Sequence, residues 1–522
     1  MKQSDAEAQE AGQTSVLAVI DIGSNAIRMT IAQLSQDGTI EVLDRLSQAA
    51  RLGHDTFRVG RLTGRSMRGA VAILRDYRKV IDSYRADHIR VVATSAVREA
   101  SNSDTFVERA FMATGLDVSI ITAPEESRLT VSAVREVASE AITTRKKVLV
   151  AEVGGGSTVV NVLKSGRIVA SQGLPIGAVR LQEVLATSGE SADQAARLID
   201  HQVRSAVFSF KNLLPLKGIE TFIAVGGDMR WAAQTVGKQA PQPNLWSVTR
   251  EALKKLTQKL QHSAADELAR THRLELTQAE TLVPSLLVYQ ILLGATGARR
   301  ILVPDVSMRD GLLQDLALRL AGGHEESFRA EVLQSAMSVA EKYGADPVHA
   351  NKVRELAVKL FDLLQPVHRL DANHRLLLEV ATALHEVGLF ISSRAHHKHS
   401  HYLITHSDIL GLRPDAQSIV AAVARYHRRS RPKQSHPEYV GQSRDKRIVI
   451  NKLAAILRVA DSLDISRTQQ IQDFAHSLGS RSLTILVAGH LDLTLERRSL
   501  ALKSDMFEDI YGLRVSLEAA EP

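Results

Sequence analysis

The feature that most constrains this chain is written twice. Val16-Leu-Ala-Val-Ile-Asp21-Ile-Gly-Ser-Asn25 is an apolar run that reaches a carboxylate and breaks into a Gly/Ser turn, and Ile27-Arg-Met-Thr-Ile-Ala-Gln-Leu34 is a second strand-like run behind it. Val148-Leu-Val-Ala-Glu-Val-Gly154-Gly-Gly-Ser-Thr158, followed by Val159-Val-Asn-Val-Leu163, repeats that order. Apolar runs bounded by Gly and Ser read as strands joined by tight turns. Phe222-Ile-Ala-Val-Gly-Gly-Asp228 is a third apolar segment ending in paired glycines. Helical spacing fills the gaps at Met67 to Tyr84 and Ala195 to Leu214, and strand-like Ile89 to Ala93 precedes Thr94-Ser95. The natural reading is a duplicated α/β domain with a ligand cleft between its halves.

The turns carry a chemistry. A strand–Gly turn exposes consecutive backbone N–H groups, which form a concave nest for an anion. Glycine permits the positive φ and the close approach that such a nest requires. Gly23, Ser24 and Asn25 in one turn, and Gly154, Gly155, Gly156, Ser157 and Thr158 in the other, are the candidate phosphate-binding residues. Asp21 and Glu152 at the strand ends cannot face phosphate alone. They call for a bridging divalent cation, Mg²⁺ being the usual partner of phosphates. One such loop is a common structural turn; two related loops in one chain point to a polyphosphate-like anion.

With 522 residues the chain is too long for one core. Residues 1–14 read as a disordered tail, polar and unlike a signal peptide. One half of the duplication spans 15–128 and the other 129–320. Ala-Gly-Gly-His at 321–324 reads as a linker. A helical, His-rich region covers 325–475, and residues 476–522 alternate apolar and polar, as a small α+β cap does. There is no Cys, which excludes disulfides, thiolate zinc sites and thiol nucleophiles. No uninterrupted apolar stretch approaches the roughly 18 residues of a membrane helix. The expectation is a cytoplasmic protein with no membrane and no nucleic-acid partner. A formal charge of +7 weakly favours acidic partners.

The ordered set Asp21-Ile-Gly-Ser-Asn-Ala-Ile-Arg28, Ala93-Thr-Ser-Ala-Val-Arg98, Glu125-Glu-Ser-Arg128, Gly154-Gly-Gly-Ser-Thr158, Leu174-Pro-Ile-Gly-Ala-Val-Arg180 and Arg309-Asp-Gly-Leu-Leu313 resembles the Ppx/GppA phosphatase family, the exopolyphosphatases and guanosine pentaphosphate phosphohydrolases. The resemblance implies two actin-like domains, of the sugar kinase and chaperone ATPase type, then an all-α HD-like domain and the small cap. It implies Mg²⁺-dependent hydrolysis of the terminal phosphoanhydride of inorganic polyphosphate, with guanosine pentaphosphate as the rival substrate and a weakly catalytic binding protein as a further alternative. It also implies a homodimer. Glu126 matches the residue that activates the attacking water. Chemistry agrees, because terminal phosphoryl transfer needs an in-line water, a proton acceptor and neutralised charge. Arg98 suits a bidentate clamp on the terminal phosphate.

Two positions depart from the family. Glu152 stands where Asp is usual, and Val159 where Glu is usual, so the cation is expected to be held more loosely. The helical region carries His349, His385, His396, His397, His399, His427 and Asp461, a composition that suits metal. Its His385-Glu386 pair replaces the His-Asp of an HD site, so a remnant site without stoichiometric transition metal is expected. The run Arg425-Tyr-His-Arg-Arg-Ser-Arg-Pro-Lys433 reads as a solvated loop or as a tract that meets a polyanion.

Overall fold

A computed structural model of the chain describes residues 14–520 apart from 144–145, 211–213, 323, 429 and 490. The chain forms two compact units, 1–325 and 326–522. Most of the expected N-terminal tail lies outside the described residues.

The first unit contains the duplication as two sheets. One is built from β1 (Ser15–Ile22), β2 (Ala26–Leu34), β3 (Ile40–Ala49), β4 (His88–Ala93) and β5 (Val118–Ile120), in the order β3-β2-β1-β4-β5. The other uses β6 (Lys147–Val153), β7 (Thr158–Lys164), β8 (Arg167–Leu174), β9 (Ile219–Val225), β10 (Lys238–Gln239), β11 (Leu245–Thr249) and β12 (Arg300–Pro304), in the order β10-β11-β12-β9-β6-β7-β8. In each, an antiparallel meander is followed by two strands parallel to its first strand. The repeat extends to register: Asp21 pairs with Arg28 across β1 and β2, and Glu152 with Val159 across β6 and β7.

The division between the halves is less simple than the sequence suggests. The helix Ala123–Ile142 runs through the expected boundary at 128. The helix Met308–Leu320 packs Met308, Leu312, Leu313 and Ala317 against Leu17 and Val19 of β1 and Val92 of β4, so the last stretch of the unit returns to the first sheet. Leu276–Gly294 is, among the described residues, the one helix long and apolar enough to cross a membrane, and 67% of that window is buried inside the fold. Its largely apolar surface and its burial mark it as a core helix, and Gln278, Glu280 and Gln290 interrupt its apolar run in the sequence.

The second unit packs the helices Pro347–Leu363, Ala372–Leu384, Pro414–Arg425 and Arg444–Leu463 around one core. The core continues into the sheet of β13 (Ala475–Leu478), β14 (Ser482–Ala488) and β15 (Arg514–Ala520) through Leu483, Ile485 and Leu517. The expected cap thus shares the helical core.

In the first unit the glycine loop after β6 sits on the start of the helix Ala178–Val184. Backbone N–H groups of Ala178, Val179 and Arg180 donate to the carbonyls of Gly154 and Gly155 at 2.9–3.0 Å. A Cβ on Gly177 would lie 2.3 Å from the Gly156 carbonyl carbon and 2.4 Å from the Ser157 nitrogen. Backbone cannot yield as a side chain tip does, so Gly177→Ala is expected to cost roughly 1–3 kcal/mol in urea unfolding. Gly189→Ala, where nothing lies within 4 Å, should stay within about 0.5 kcal/mol of the wild type.

Candidate active site

The two glycine loops face each other. Gly23 N–H donates to Ala26 O at 3.1 Å and Gly154 N–H to Ser157 O at 2.9 Å, so both turns close in the same way. A Cβ on Gly155 would come within 3.0 Å of Ser24 Cβ, and one on Gly156 within 2.3 Å of Ser95 Oγ. Only bare backbone permits this approach. Ser24 Oγ and Ser95 Oγ are 3.1 Å apart. The N–H groups of Ser24, Asn25, Gly155 and Ser157 make no hydrogen bond with described residues, while the loop's carbonyls are taken by the helix behind it. Donors are therefore left for a ligand and acceptors are not.

Between the loops lies a cavity of about 400 Å³. Asp21, Gly23, Ser24, Asn25, Gly154, Gly155, Ser157, Glu126 and Glu152 line it. Three candidates from the sequence do not. Thr158 is fully buried and its hydroxyl donates to Ile176 O at 2.8 Å. Gly156 serves the packing against Ser95. Arg98 donates through Nη1 to Ile121 O at 2.6 Å and to Glu126 Oε1, so it orients Glu126 and does not stand open as a clamp.

Glu126 lies in the first turn of its helix, whose cap Thr122 accepts from Glu125 N–H. Burial pushes its pKa up to about 7, Arg98 opposes the rise, and Glu152 and Asp21 add to it. Burial likewise raises Asp21, against Arg309 and Arg28, and raises Glu152, whose carboxylate accepts from Thr130 Oγ1.

Sequence reasoning did not assign Asp228, Arg230, Arg28 or Arg309 to the site, yet all four line the cavity. Asp228 opens the helix Gly227–Val236 and accepts from Ser285 Oγ at 2.6 Å and Thr281 Oγ1 at 3.4 Å. Thr281, Ser285 and Tyr289 recur every fourth residue on the core helix, which gives it one polar line. Tyr289 accepts from Val153 N–H at 2.9 Å and donates to Val225 O, tying the ends of β6 and β9. Gly226, at φ +139°, makes the turn that aims Asp228. The paired glycines ahead of Asp228 were the available signal.

Five carboxylates and three arginines line the cavity, Glu275 completing the acids. A polyanion needs added positive charge to enter such a wall. Among the described residues, no three acids of the cavity offer ligand atoms within 4.8 Å of one another. That fits a cation held by one or two carboxylates plus water and phosphate oxygens, the habit of Mg²⁺, and not a closed protein cage.

The family model for the Ppx/GppA phosphatase family matches residues 30–320, and the model for Ppx/GppA phosphatase domain III matches 333–504. A guanosine-5'-triphosphate,3'-diphosphate pyrophosphatase of Aeromonas hydrophila is 26% identical over 487 residues, covering 91% of this chain and 93% of the relative. Its counterpart in Aeromonas salmonicida is 25% identical over 483 residues, with the same coverage of both chains. Among solved structures, an exopolyphosphatase from Cytophaga hutchinsonii superposes with a TM-score of 0.52 at 20% identity, over 59% of this chain and 98% of that one, a likeness of fold.

The Glu126 environment has a consequence for stability. Its folded value near 7 exceeds its ordinary 4.5, so the folded chain holds a proton that the unfolded chain has released between those values. Stability therefore falls as pH rises through this window. Glu126→Gln removes that loss. Thermal unfolding should show variant and wild type alike near pH 4 and the variant more stable at pH 8, by at most about 3 kcal/mol. A variant less stable than wild type at pH 8 would reverse the assignment.

Proposed function

The chain belongs to the Ppx/GppA phosphatase family and is a phosphoanhydride hydrolase, and from that premise we propose that it is an exopolyphosphatase, releasing the terminal phosphate of inorganic polyphosphate. The observation that carries this reading is the cavity wall: it is mostly polar groups and glycine backbone, with a few aliphatic side chains and no aromatic one among the lining residues. A phosphate chain asks for N–H donors and cations. A guanine nucleotide gains from a stacking platform, which this wall lacks.

The backbone N–H groups of both glycine loops and the guanidinium groups of Arg28, Arg230 and Arg309 bind and orient the phosphate oxygens. Glu126 takes a proton from the attacking water as its oxygen bonds to the terminal phosphorus. The bond to the bridging oxygen breaks, leaving orthophosphate and a chain one unit shorter. Arg98 holds the Glu126 carboxylate in place. Mg²⁺, held by Asp21 and Glu152 with Asp228 across the cavity, would supply charge neutralisation for the phosphate oxygens. The reading includes an HD-like helical unit and a cytoplasmic homodimer.

The second reading is a guanosine pentaphosphate phosphohydrolase. It is favoured by the two Aeromonas relatives, which carry that activity in their names and align over 91% of this chain. Phosphate release from long-chain polyphosphate and from guanosine pentaphosphate, measured side by side, separates the two. kcat/KM at least about tenfold higher for polyphosphate is expected, and the opposite order establishes the rival. With the better substrate, Glu126→Gln should lower kcat by about 10²–10⁴. Asp228→Asn should raise the Mg²⁺ concentration for half-maximal rate; an unchanged Mg²⁺ titration would remove Asp228 from the cation's surroundings.

A further inference from the structure

Two motifs singled out in the sequence, Glu125-Glu-Ser-Arg128 and Arg309-Asp-Gly-Leu-Leu313, meet in the fold. The helix Ala123–Ile142 carries Glu126 in its first turn, and the helix Met308–Leu320 carries Arg309 in its own. A Cβ on Gly311 would lie 2.0 Å from Leu129 O and 2.7 Å from the Leu129 carbonyl carbon, so the two backbones touch there. One turn beyond Gly311, Asp315 reaches back to the first helix. It is 3% exposed, and its Oδ1 accepts from Arg128 Nη2 at 2.8 Å. Arg128 in turn grips Glu125, Nε donating to Oε2 at 2.9 Å and Nη2 to Oε1 at 2.8 Å. Arg90 of β4 faces both acids, with Nη1 3.3 Å from Asp315 Oδ2 and Nη2 3.8 Å from Glu125 Oε1.

None of Glu125, Arg128, Asp315 and Arg90 lines the phosphate cavity, so this chain of ion pairs touches no substrate. Successive residues of a helix point about 100° apart. Glu125 therefore turns toward Arg128 and Asp315 while Glu126 turns into the cavity. Apolar packing is non-directional, and the close approach at Gly311 fixes a separation without fixing a rotation. A bidentate Arg–carboxylate pair fixes orientation as well. Farther along the seam Ser132 Oγ donates to Gln314 Oε1 at 3.0 Å, but Ser132 lies nearly two turns from Glu126. The contact that controls the first turn is the one through Arg128.

Given Glu126 as the acceptor of the water's proton, we propose that Asp315 is a positioning residue of the hydrolysis. Through Arg128 and Glu125 it sets the rotation of the turn that carries Glu126, and so holds that carboxylate in register with the phosphate site to which Arg309 belongs. In-line attack tolerates little error, since a misplacement of about 1 Å can cost about 10²-fold in rate. A buried ion pair on the far side of the helix can thus act on turnover without meeting the substrate. Two adjacent acids divide the work: Glu125 carries the orientation and Glu126 the proton.

The test is a double-mutant cycle on the full-length protein, read as phosphate release from the better substrate. Asp315→Asn keeps the size of the side chain and removes its charge. Alone it should lower kcat about 10–100-fold and leave KM within about twofold. Placed on Glu126→Gln it should cost less than about threefold, because the group it orients is already gone. A fall by the same factor in both backgrounds, as partial unfolding or a role elsewhere would give, overturns the proposal, and so does an unchanged kcat in the single variant. Near-normal turnover by Glu126→Gln alone removes the proton acceptor and its positioner together, so the two readings fail by different measurements. Should Asp315→Asn fail to fold by circular dichroism, Glu125→Gln takes its place in the cycle with the same expected outcomes, since the Glu125 side chain is 17% exposed at the other end of the same ion-pair chain.

Discussion

The close approach of a bare glycine loop to its neighbours is the contact on which the first unit depends. Gly155 and Gly156 lie against Ser24 and Ser95, and Gly177 presses on the same loop from behind. No dispersion gain from a larger side chain at Gly177 could offset the separation it would force, because its neighbours are main-chain atoms of the loop between β6 and β7. The approach also sorts polarity. Helix N–H groups consume the carbonyls of the loop, so what remains toward the cavity is a set of donors. An anion site arises here from which backbone groups are already satisfied, without recruiting a lysine.

The same cavity holds groups that folding alone would not place together. Asp21, Glu126 and Asp228 are each raised by burial, and Arg309 is lowered by it. Charges of both signs, all pushed toward neutrality by the same wall, describe a site held in place by the surrounding cores. The core helix with Thr281, Ser285 and Tyr289 shows how: one polar line on an otherwise apolar cylinder supplies the hydrogen bonds that keep Asp228 and the strand ends fixed.

The duplication was legible in the sequence because strand, carboxylate and glycine turn recur as contiguous text. Asp21, Gly23, Ser24, Gly154 and Glu126 follow from that text and a family pattern, and all line one cavity. Asp228 and Arg309 were not assigned, since their membership depends on β9 and the final helix returning to the cleft from far along the chain. Thr158 reads as a ligand donor in a glycine loop, yet its hydroxyl goes to Ile176 O, a partner visible only once β7 and β8 are paired. In the basic run, Arg425 binds Glu438 and Arg431 binds Asp505 and Asp509. Arg429 lies outside the described residues. Acids contributed by other segments thus pair with two of its arginines, and no local reading of charge could have foreseen it.

The two hairpins share a register but differ in charge at one paired position beside the loops. Across from Asp21 stands Arg28; across from Glu152, its counterpart, stands Val159. One wall of the cleft is thus cationic where the other is inert. A twofold cleft would present the same wall to either end of an extended anion. The difference between Arg28 and Val159 removes that equivalence, so direction across the cleft is set by the protein.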